Sequence, residues 1–267
     1  MDPHPADVGQ PSRPPRPSIA ELRSVCQPPA TLNRVNAEHW AGRLYMRRIS
    51  IYVTRVLLRL GVSADTVTSI MVVVGVLGGL ALLLPGLPGA ITAVVLIQAY
   101  LLLDCCDGEV ARWRGTSSVR GVYLDRVGHY LTEATLLAAL GFRAAGLGAN
   151  VWTVIGLLAA IFALLIKAET DLVDAARARG GLDVAPESAG ELTGSRIAGA
   201  RRLAASLRLH RITGAVEASL VICLASIVDS LRGNLIATRV VTTAVMVIAG
   251  VQVILHLISI LTSRRLV

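Results

Sequence analysis

The chain has 267 residues, of which 54% are hydrophobic and only 16% charged, and its formal net charge is +8. Since a soluble domain carries about 25% charged residues, this composition argues against a soluble enzyme and against a disordered chain. A basic excess on so apolar a chain indicates the cytosolic face of a membrane protein, where Lys and Arg accumulate. Aromatic residues make up 4%, too few for stacking on bases, so no nucleic-acid partner is expected.

Two different segments precede the first long apolar run. Residues 1–36 are rich in Pro, Arg, Ser and Gln and lack the early apolar run of a signal peptide, which predicts a disordered cytosolic tail. Residues 37–60 mix arginines with large apolar side chains. This mixture predicts an amphipathic helix that lies on the membrane surface with its arginines at anionic headgroups. The chain is therefore divided into a tail and a membrane domain, residues 37–267.

Six apolar segments follow the predicted interfacial helix. A helix needs about 20 apolar residues to cross a bilayer, and each segment approaches that length. The predicted transmembrane helices are residues 66–84, 89–107, 122–140, 151–168, 212–228 and 236–262. The expected fold class is an all-α integral membrane protein with six transmembrane helices plus an N-terminal amphipathic interfacial helix.

The arginines predict the orientation of these helices. They are frequent before the first predicted span, between the second and third, between the fourth and fifth, and at the C-terminus. The opposite side carries only Arg143, Arg232 and Arg239. Because Lys and Arg are enriched in cytosolic loops, we expect a multi-pass protein with both termini cytosolic, in the plasma membrane of a prokaryote.

The only dense acidic cluster near the membrane lies where the second span ends and the third begins. Asp104 and Asp107 are spaced i, i+3, and Asp125 and His129 are spaced i, i+4, so each pair shares one helical face. The two spans run in opposite directions, which predicts that both pairs lie at a similar depth near the cytosolic interface. Placing an acidic side chain at the membrane costs free energy, so acidic residues there are candidates for a function. The oxygen ligands of this cluster suit Mg²⁺ or Mn²⁺.

Three residues beside the acids favour a phosphate-bearing ligand. Gly108 and Gly121 have no side chain where a nucleotide could approach closely. Arg112 offers a planar fork that binds phosphate through two hydrogen bonds.

The segment from Asp104 to His129 resembles the signature of the CDP-alcohol phosphotransferase family, Asp-x2-Asp-Gly-x2-Ala-Arg-x8-Gly-x3-Asp-x3-Asp. Seven of the eight signature positions match, namely Asp104, Asp107, Gly108, Ala111, Arg112, Gly121 and Asp125. The last position departs from the family, because His129 stands where the family has aspartate. The predicted six-span layout and the interfacial helix also resemble the family.

The resemblance implies a metal-dependent transfer of a substituted phosphate group from a CDP-linked donor, such as CDP-diacylglycerol, to an acceptor hydroxyl. CMP would be released, the acceptor would be a polar alcohol or a lipid, and the reaction would belong to phospholipid biosynthesis. Membrane lipids and a second copy of the chain, forming a homodimer, are the other expected partners.

Roles follow from the resemblance, position by position. The expected metal ligands for Mg²⁺ or Mn²⁺ are Asp104, Asp107, Asp125 and His129. The expected nucleotide-binding residues are Asp107, Gly108, Ala111, Arg112 and Gly121. His129 is the expected catalytic base. Apart from the resemblance, Lys167, Arg201 and Arg202 are candidates for binding the acceptor, although a solvated helix extension also explains Lys167, and headgroup binding or cytosolic topology also explains the two arginines.

Several alternatives stay open at this level. His129 either keeps the activity, because neutral imidazole accepts a proton near pH 7, or marks a non-catalytic relative that binds a nucleotide or a lipid. A small membrane transporter is a third possibility, although transporter sites usually lie near the midplane. Asp65 and Thr68 either resemble a second family motif or form an ordinary helix N-cap. Glu133 either orients His129 or pairs with another neighbour.

Overall fold

The computed structural model describes residues 17–28, 40–182, 214–262 and 266, and within them every regular element is helical. The helices are α1 (Ile19–Cys26), α2 (Arg47–Arg59), α3 (Ala64–Leu80), α4 (Gly86–Arg114), α5 (Val119–Ala144), α6 (Val151–Arg179), α7 (Ala215–Arg232) and α8 (Ile236–Thr262). A π-helical turn, Gly42–Met46, leads into α2, and a 3-10 turn, Ala81–Leu83, follows α3. The all-α prediction is confirmed for this part of the chain.

Among the residues that the structure describes, four helices are long and apolar enough to cross a membrane: Ala64–Leu83, α4, α6 and α8. Helices α5 and α7 form where the third and fifth spans were predicted, but they are not among these four. Both carry charged residues along their length, such as Glu133 in α5 and Asp229 in α7. The class of an apolar helical membrane protein is therefore supported, whereas the number of six spans stays a prediction.

The chain divides into two compact units. Unit 1 comprises Met1–Val74 and Gln98–Gly128, and unit 2 comprises Gly75–Ile97 and His129–Val267. Helices α3, α4 and α5 are long enough to contribute residues to both.

Unit 1 contains a helix that the sequence did not predict. Helix α1 begins with a capping box, in which Ser18 Oγ accepts from the backbone N–H of Glu21 while the Glu21 carboxylate accepts from the N–H of Ser18. Its apolar side buries Leu22 and Cys26 in a small core of unit 1 that also holds Trp113. The prediction of a disordered tail is therefore wrong for residues 17–28, because capping and apolar burial stabilise a short helix there.

Helix α2 presents two different faces. Ser50, Ile51, Thr54 and Leu58 are buried within unit 1. Large apolar side chains stay exposed on the remaining surface, at Ile49, Tyr52, Val56 and Leu60. An exposed apolar stripe among arginines is what a helix at a membrane surface presents, and it supports the predicted interfacial role.

Unit 2 is held together by close helix packing and by buried arginines. Helix α8 packs along α6 and α7. Helices α5 and α6 meet at Gly141 and Gly156, where a Cβ added to Gly156 would lie 2.3 Å from the Cα of Gly141. Beside this contact, Arg143 is only 8% exposed and donates to Ser226 Oγ and to three carbonyl oxygens, those of Leu82, Leu84 and Gly86. Arg143 therefore holds the turn between α3 and α4 in place.

Candidate active site

A pocket of about 250 Å³ opens in unit 1 at the end of α4 and the start of α5. Its wall is formed by the first turns of α3, the last turns of α4, the loop between α4 and α5, and the first turns of α5. The lining residues are Ala64, Asp65, Thr68, Asp104, Asp107, Gly108, Ala111, Thr116, Ser117, Ser118, Gly121, Val122 and Asp125. Six of the eight signature positions therefore line one pocket.

Asp104 and Asp125 form a possible metal-binding group together with His129. One ligand atom from each of the three lies within 4.8 Å of the other two. The division between the units falls between Gly128 and His129 inside the continuous helix α5, so one helical turn separates His129 from Asp125. Ligands about 2.1 Å from a common Mg²⁺ or Mn²⁺ ion lie within about 4.2 Å of one another, so these three side chains fit one such ion after a small adjustment.

Asp107 lines the same pocket but stands outside that group. Its Oδ2 accepts a hydrogen bond from Thr68 Oγ1 at 2.7 Å, and its Oδ1 accepts from the backbone N–H of Gly108. Each carboxylate oxygen retains a further lone pair that can face a ligand. Thr68 thus orients the Asp107 carboxylate at the pocket wall.

Arg112 does not line the pocket but packs behind Gly108, which does. A Cβ on Gly108 would lie 3.0 Å from Arg112 Nη1, so the glycine leaves room for the guanidinium. The Nε of Arg112 donates to the carbonyl oxygen of Cys26 at 2.9 Å. The missing side chain of Gly108 therefore makes room for the Arg112 guanidinium, in addition to the room that it leaves for a nucleotide.

A fully buried carboxylate, Glu109, follows these pocket residues in α4. Hydrogen bonds reach its two oxygens from four side chains, those of Gln27 at 2.8 Å, Arg47 at 3.3 Å, Ser50 at 2.7 Å and Thr54 at 2.7 Å. Sequence reasoning missed Glu109, because the family signature leaves its position unspecified and its partners lie 55 to 82 residues away.

Asp65 and Thr68 belong to the pocket, beyond any local capping role. A Cβ on Gly121 would lie 3.3 Å from Asp65 Oδ1, so the absence of a side chain keeps the pocket open there. Ser118, also missed by the sequence analysis, accepts the backbone N–H of Gly121 at 2.9 Å and fixes the start of α5. Its position just before an apolar helix was a signal that could have found it.

Polar side chains in unit 2 are paired between helices. Lys167 Nζ lies 3.2 Å from Glu133 Oε1, so Glu133 pairs with a neighbour in α6. Glu169 contacts His256 at 2.9 Å, and Tyr130 donates to Asp171 at 2.9 Å. Lys167 was predicted to bind the acceptor, and the structure shows it in this ion pair, 29% exposed. Arg201 and Arg202 lie outside the described residues.

Comparisons with known proteins found one family model and several solved structures that this chain resembles. A family model described as CDP-alcohol phosphatidyltransferase matches residues 61–181. The structure of phosphatidylinositol phosphate synthase from Mycobacterium tuberculosis with CDP-DAG bound gives a TM-score of 0.57 at 19% identity, over 81% of this chain and 96% of that chain. The same enzyme in complex with manganese and citrate gives 0.56 at 18% identity, over 80% and 90%. At such identities the likeness shows the fold. A search among curated proteins gave no match.

Proposed function

We propose that the chain is a phosphotransferase of the CDP-alcohol phosphatidyltransferase family, whose model matches residues 61–181, and that its donor is CDP-diacylglycerol. In this proposal a substituted phosphate group passes from the donor to the hydroxyl of a polar alcohol, and CMP leaves. The observation that carries it is the convergence of Asp104, Asp125 and His129 beside a pocket lined by Asp107 and Gly121.

A divalent cation would be held by carboxylates of this pocket, Asp104 and Asp125 foremost. Bound there, it supplies positive charge for the diphosphate of the donor and for the charge that develops on the leaving CMP. Carboxylate oxygens suit both Mg²⁺ and Mn²⁺. The manganese in the phosphatidylinositol phosphate synthase structure supports the choice of Mn²⁺.

His129 is a candidate both for a metal ligand and for the general base, and it cannot play both roles in one catalytic step. An imidazole that binds a metal through one ring nitrogen carries its proton on the other, so it cannot also accept a proton. We propose that a ring nitrogen of His129 accepts the proton of the acceptor hydroxyl as oxygen attacks phosphorus. Asp107, oriented by Thr68, completes the carboxylate wall that faces the donor.

The membrane arrangement belongs to the same proposal. Helices α5 and α7 complete six spans with the four apolar helices, both termini face the cytosol of a prokaryote, and α2 lies on the membrane surface with its apolar stripe in the lipid. Charged residues in α5 and α7 would face other helices, as the Glu133–Lys167 pair does. The homodimer expected from the resemblance stays a prediction.

The direct test is CMP release by purified protein in lipid nanodiscs. The protein receives CDP-diacylglycerol, Mn²⁺ or Mg²⁺, and in turn inositol phosphate, glycerol phosphate, serine or another polyol. We expect CMP and a new phosphodiester lipid with one acceptor, and neither in a matched Asp104→Asn variant. Calorimetric binding of CMP without turnover of any acceptor would contradict the proposal and support the non-catalytic relative instead.

A further inference from the structure

Glu109 lies at the meeting point of α4 with the two N-terminal helices. It is 0% exposed, and its side-chain partners come from the residue after α1 and from three positions at the start and middle of α2. An ionised carboxylate buried without partners is strongly unfavourable, whereas one that accepts several hydrogen bonds is not. The network therefore requires α1 and α2 to sit against α4 in one arrangement.

A second set of contacts links the same segment to the pocket. Cys26 Sγ donates to the backbone carbonyl of Glu109 at 3.3 Å, and the carbonyl of Cys26 accepts from Arg112 Nε at 2.9 Å. The Arg112 guanidinium in turn packs against Gly108, which lines the pocket. A continuous path of contacts thus runs from Glu109 through the end of α1 to the pocket wall.

From these contacts we propose that Glu109 is a positioning residue that docks residues 17–28 onto α4, and that the docked segment holds Arg112 against the donor site. The proposal rests on the function proposed above. Residues 17–28 and α2 lie outside the segment 61–181 that matches the family. A part of the chain that looked like a disordered tail would therefore help to bind the donor.

Two readouts separate this role from a purely structural one. The first is the rate at which a maleimide reagent modifies Cys26, followed by peptide mass spectrometry, because Cys26 is 1% exposed and must undock to react. The second is the KM for the CDP-linked donor, measured beside the KM for the acceptor. Both are measured on the full chain in nanodiscs.

The variant Glu109→Gln keeps the shape of the side chain and removes its charge. We expect Cys26 modification at least about tenfold faster, a donor KM about tenfold higher, and an acceptor KM within about twofold of the wild type. Gln27→Ala removes one donor without leaving a buried charge alone, and we expect the same pattern at smaller size if Glu109→Gln fails to fold. The control is Arg23→Gln, an exposed change on α1 that should alter neither readout.

Coupling between the docked segment and the pocket must be reciprocal. CMP with Mn²⁺ should therefore slow Cys26 modification in the wild type, and the effect should weaken in Gln27→Ala. Faster modification with an unchanged donor KM would overturn the proposal, since the docking would then be structural only. A wild-type protein that binds no nucleotide and releases no CMP would contradict the proposed function, while Cys26 modification in Glu109→Gln would still decide whether Glu109 holds α1.

Discussion

The two units each contain a cavity lined by charged side chains, and the cavities differ in what those charges contact. The cavity in unit 2, about 300 Å³, is lined by Arg143 and Asp229. Arg143 donates four hydrogen bonds to surrounding oxygens, and Asp229 accepts the backbone N–H groups of Ala237 and Thr238 at 2.8 Å each. Those charges join helices and cap α8, so they stabilise the fold.

The pocket of unit 1 uses its charges differently. Asp104 and Asp125 approach the imidazole of His129 closely enough to share one cation, and Asp107 faces the same space. Like charges brought together repel one another, and a cation or a proton relieves the repulsion. Cavity size therefore does not identify the candidate active site, since the larger of these two cavities is lined by charges that already have hydrogen-bond partners.

The largest expected effect is the loss of a carboxylate in unit 1. Asp104→Asn or Asp125→Asn should lower the rate of CMP release by at least about a thousandfold, because charge neutralisation carries most of phosphoryl-transfer catalysis. Thermal unfolding in detergent should change little or shift upward, as one source of repulsion is removed. Retention of more than a tenth of the wild-type rate would show that the carboxylate is not needed for catalysis, and the proposed difference between the two cavities would be wrong.

The next effect concerns His129. His129→Ala should slow the reaction by about 10² to 10⁴, the usual contribution of a general base. With the wild type, log kcat should rise with pH and then level off once the general base has lost its proton. His129→Asp should retain activity with the profile displaced to lower pH, since a carboxyl group titrates at lower pH than imidazole.

A metal measurement separates the two roles of His129. If it is the base, Mn²⁺ affinity measured by electron paramagnetic resonance should stay within about threefold of the wild type in His129→Ala. A loss of 10- to 100-fold in Mn²⁺ affinity, with a rate restored by excess Mn²⁺, would instead identify His129 as a ligand.

In unit 2 the expected change is in stability. Arg143→Met leaves three carbonyl oxygens and Ser226 without their donor, which should destabilise the protein by about 2–4 kcal/mol. The rate of CMP release at a temperature where the variant is folded should stay within about twofold. A melting temperature equal to that of the wild type would show that the network around Arg143 does not stabilise unit 2.

The smallest effect lies at the start of α1. Hydrogen bonds from Ser18 lower the pKa of Glu21 below its ordinary 4.5. A lowered pKa stabilises the folded state above pH 4.5, and this contribution is lost as the pH falls through the lowered value. Ser18→Ala should lower the amide-exchange protection factors of residues 19–26 a few-fold at pH 7, with a smaller further fall at pH 3 than the wild type shows. Equal exchange in both proteins would show that the capping box does not hold α1.

The sequence predicted most of the helices and most of the acidic residues that line the pocket of unit 1. The four apolar helices follow from length and composition, and the acids follow from i, i+3 and i, i+4 spacing on two consecutive helices. It failed for α1, whose Pro- and Arg-rich surroundings suggested disorder. The Ser18–Glu21 capping box is a local signal that was overlooked, whereas the contacts of α1 with α2 and α4, which also stabilise it, leave no local pattern.

The sequence by itself indicated an apolar helical protein with a segment that matches the CDP-alcohol phosphatidyltransferase family model, because hydropathy and motif spacing are local properties of the chain. Only the tertiary structure decided which charges are structural. Glu109 and Asp107 are two residues apart in α4, yet one is enclosed by Ser50, Thr54 and their neighbours while the other lines the pocket. Adjacent positions of a helix point in different directions, and what each direction meets depends on residues far away in the sequence.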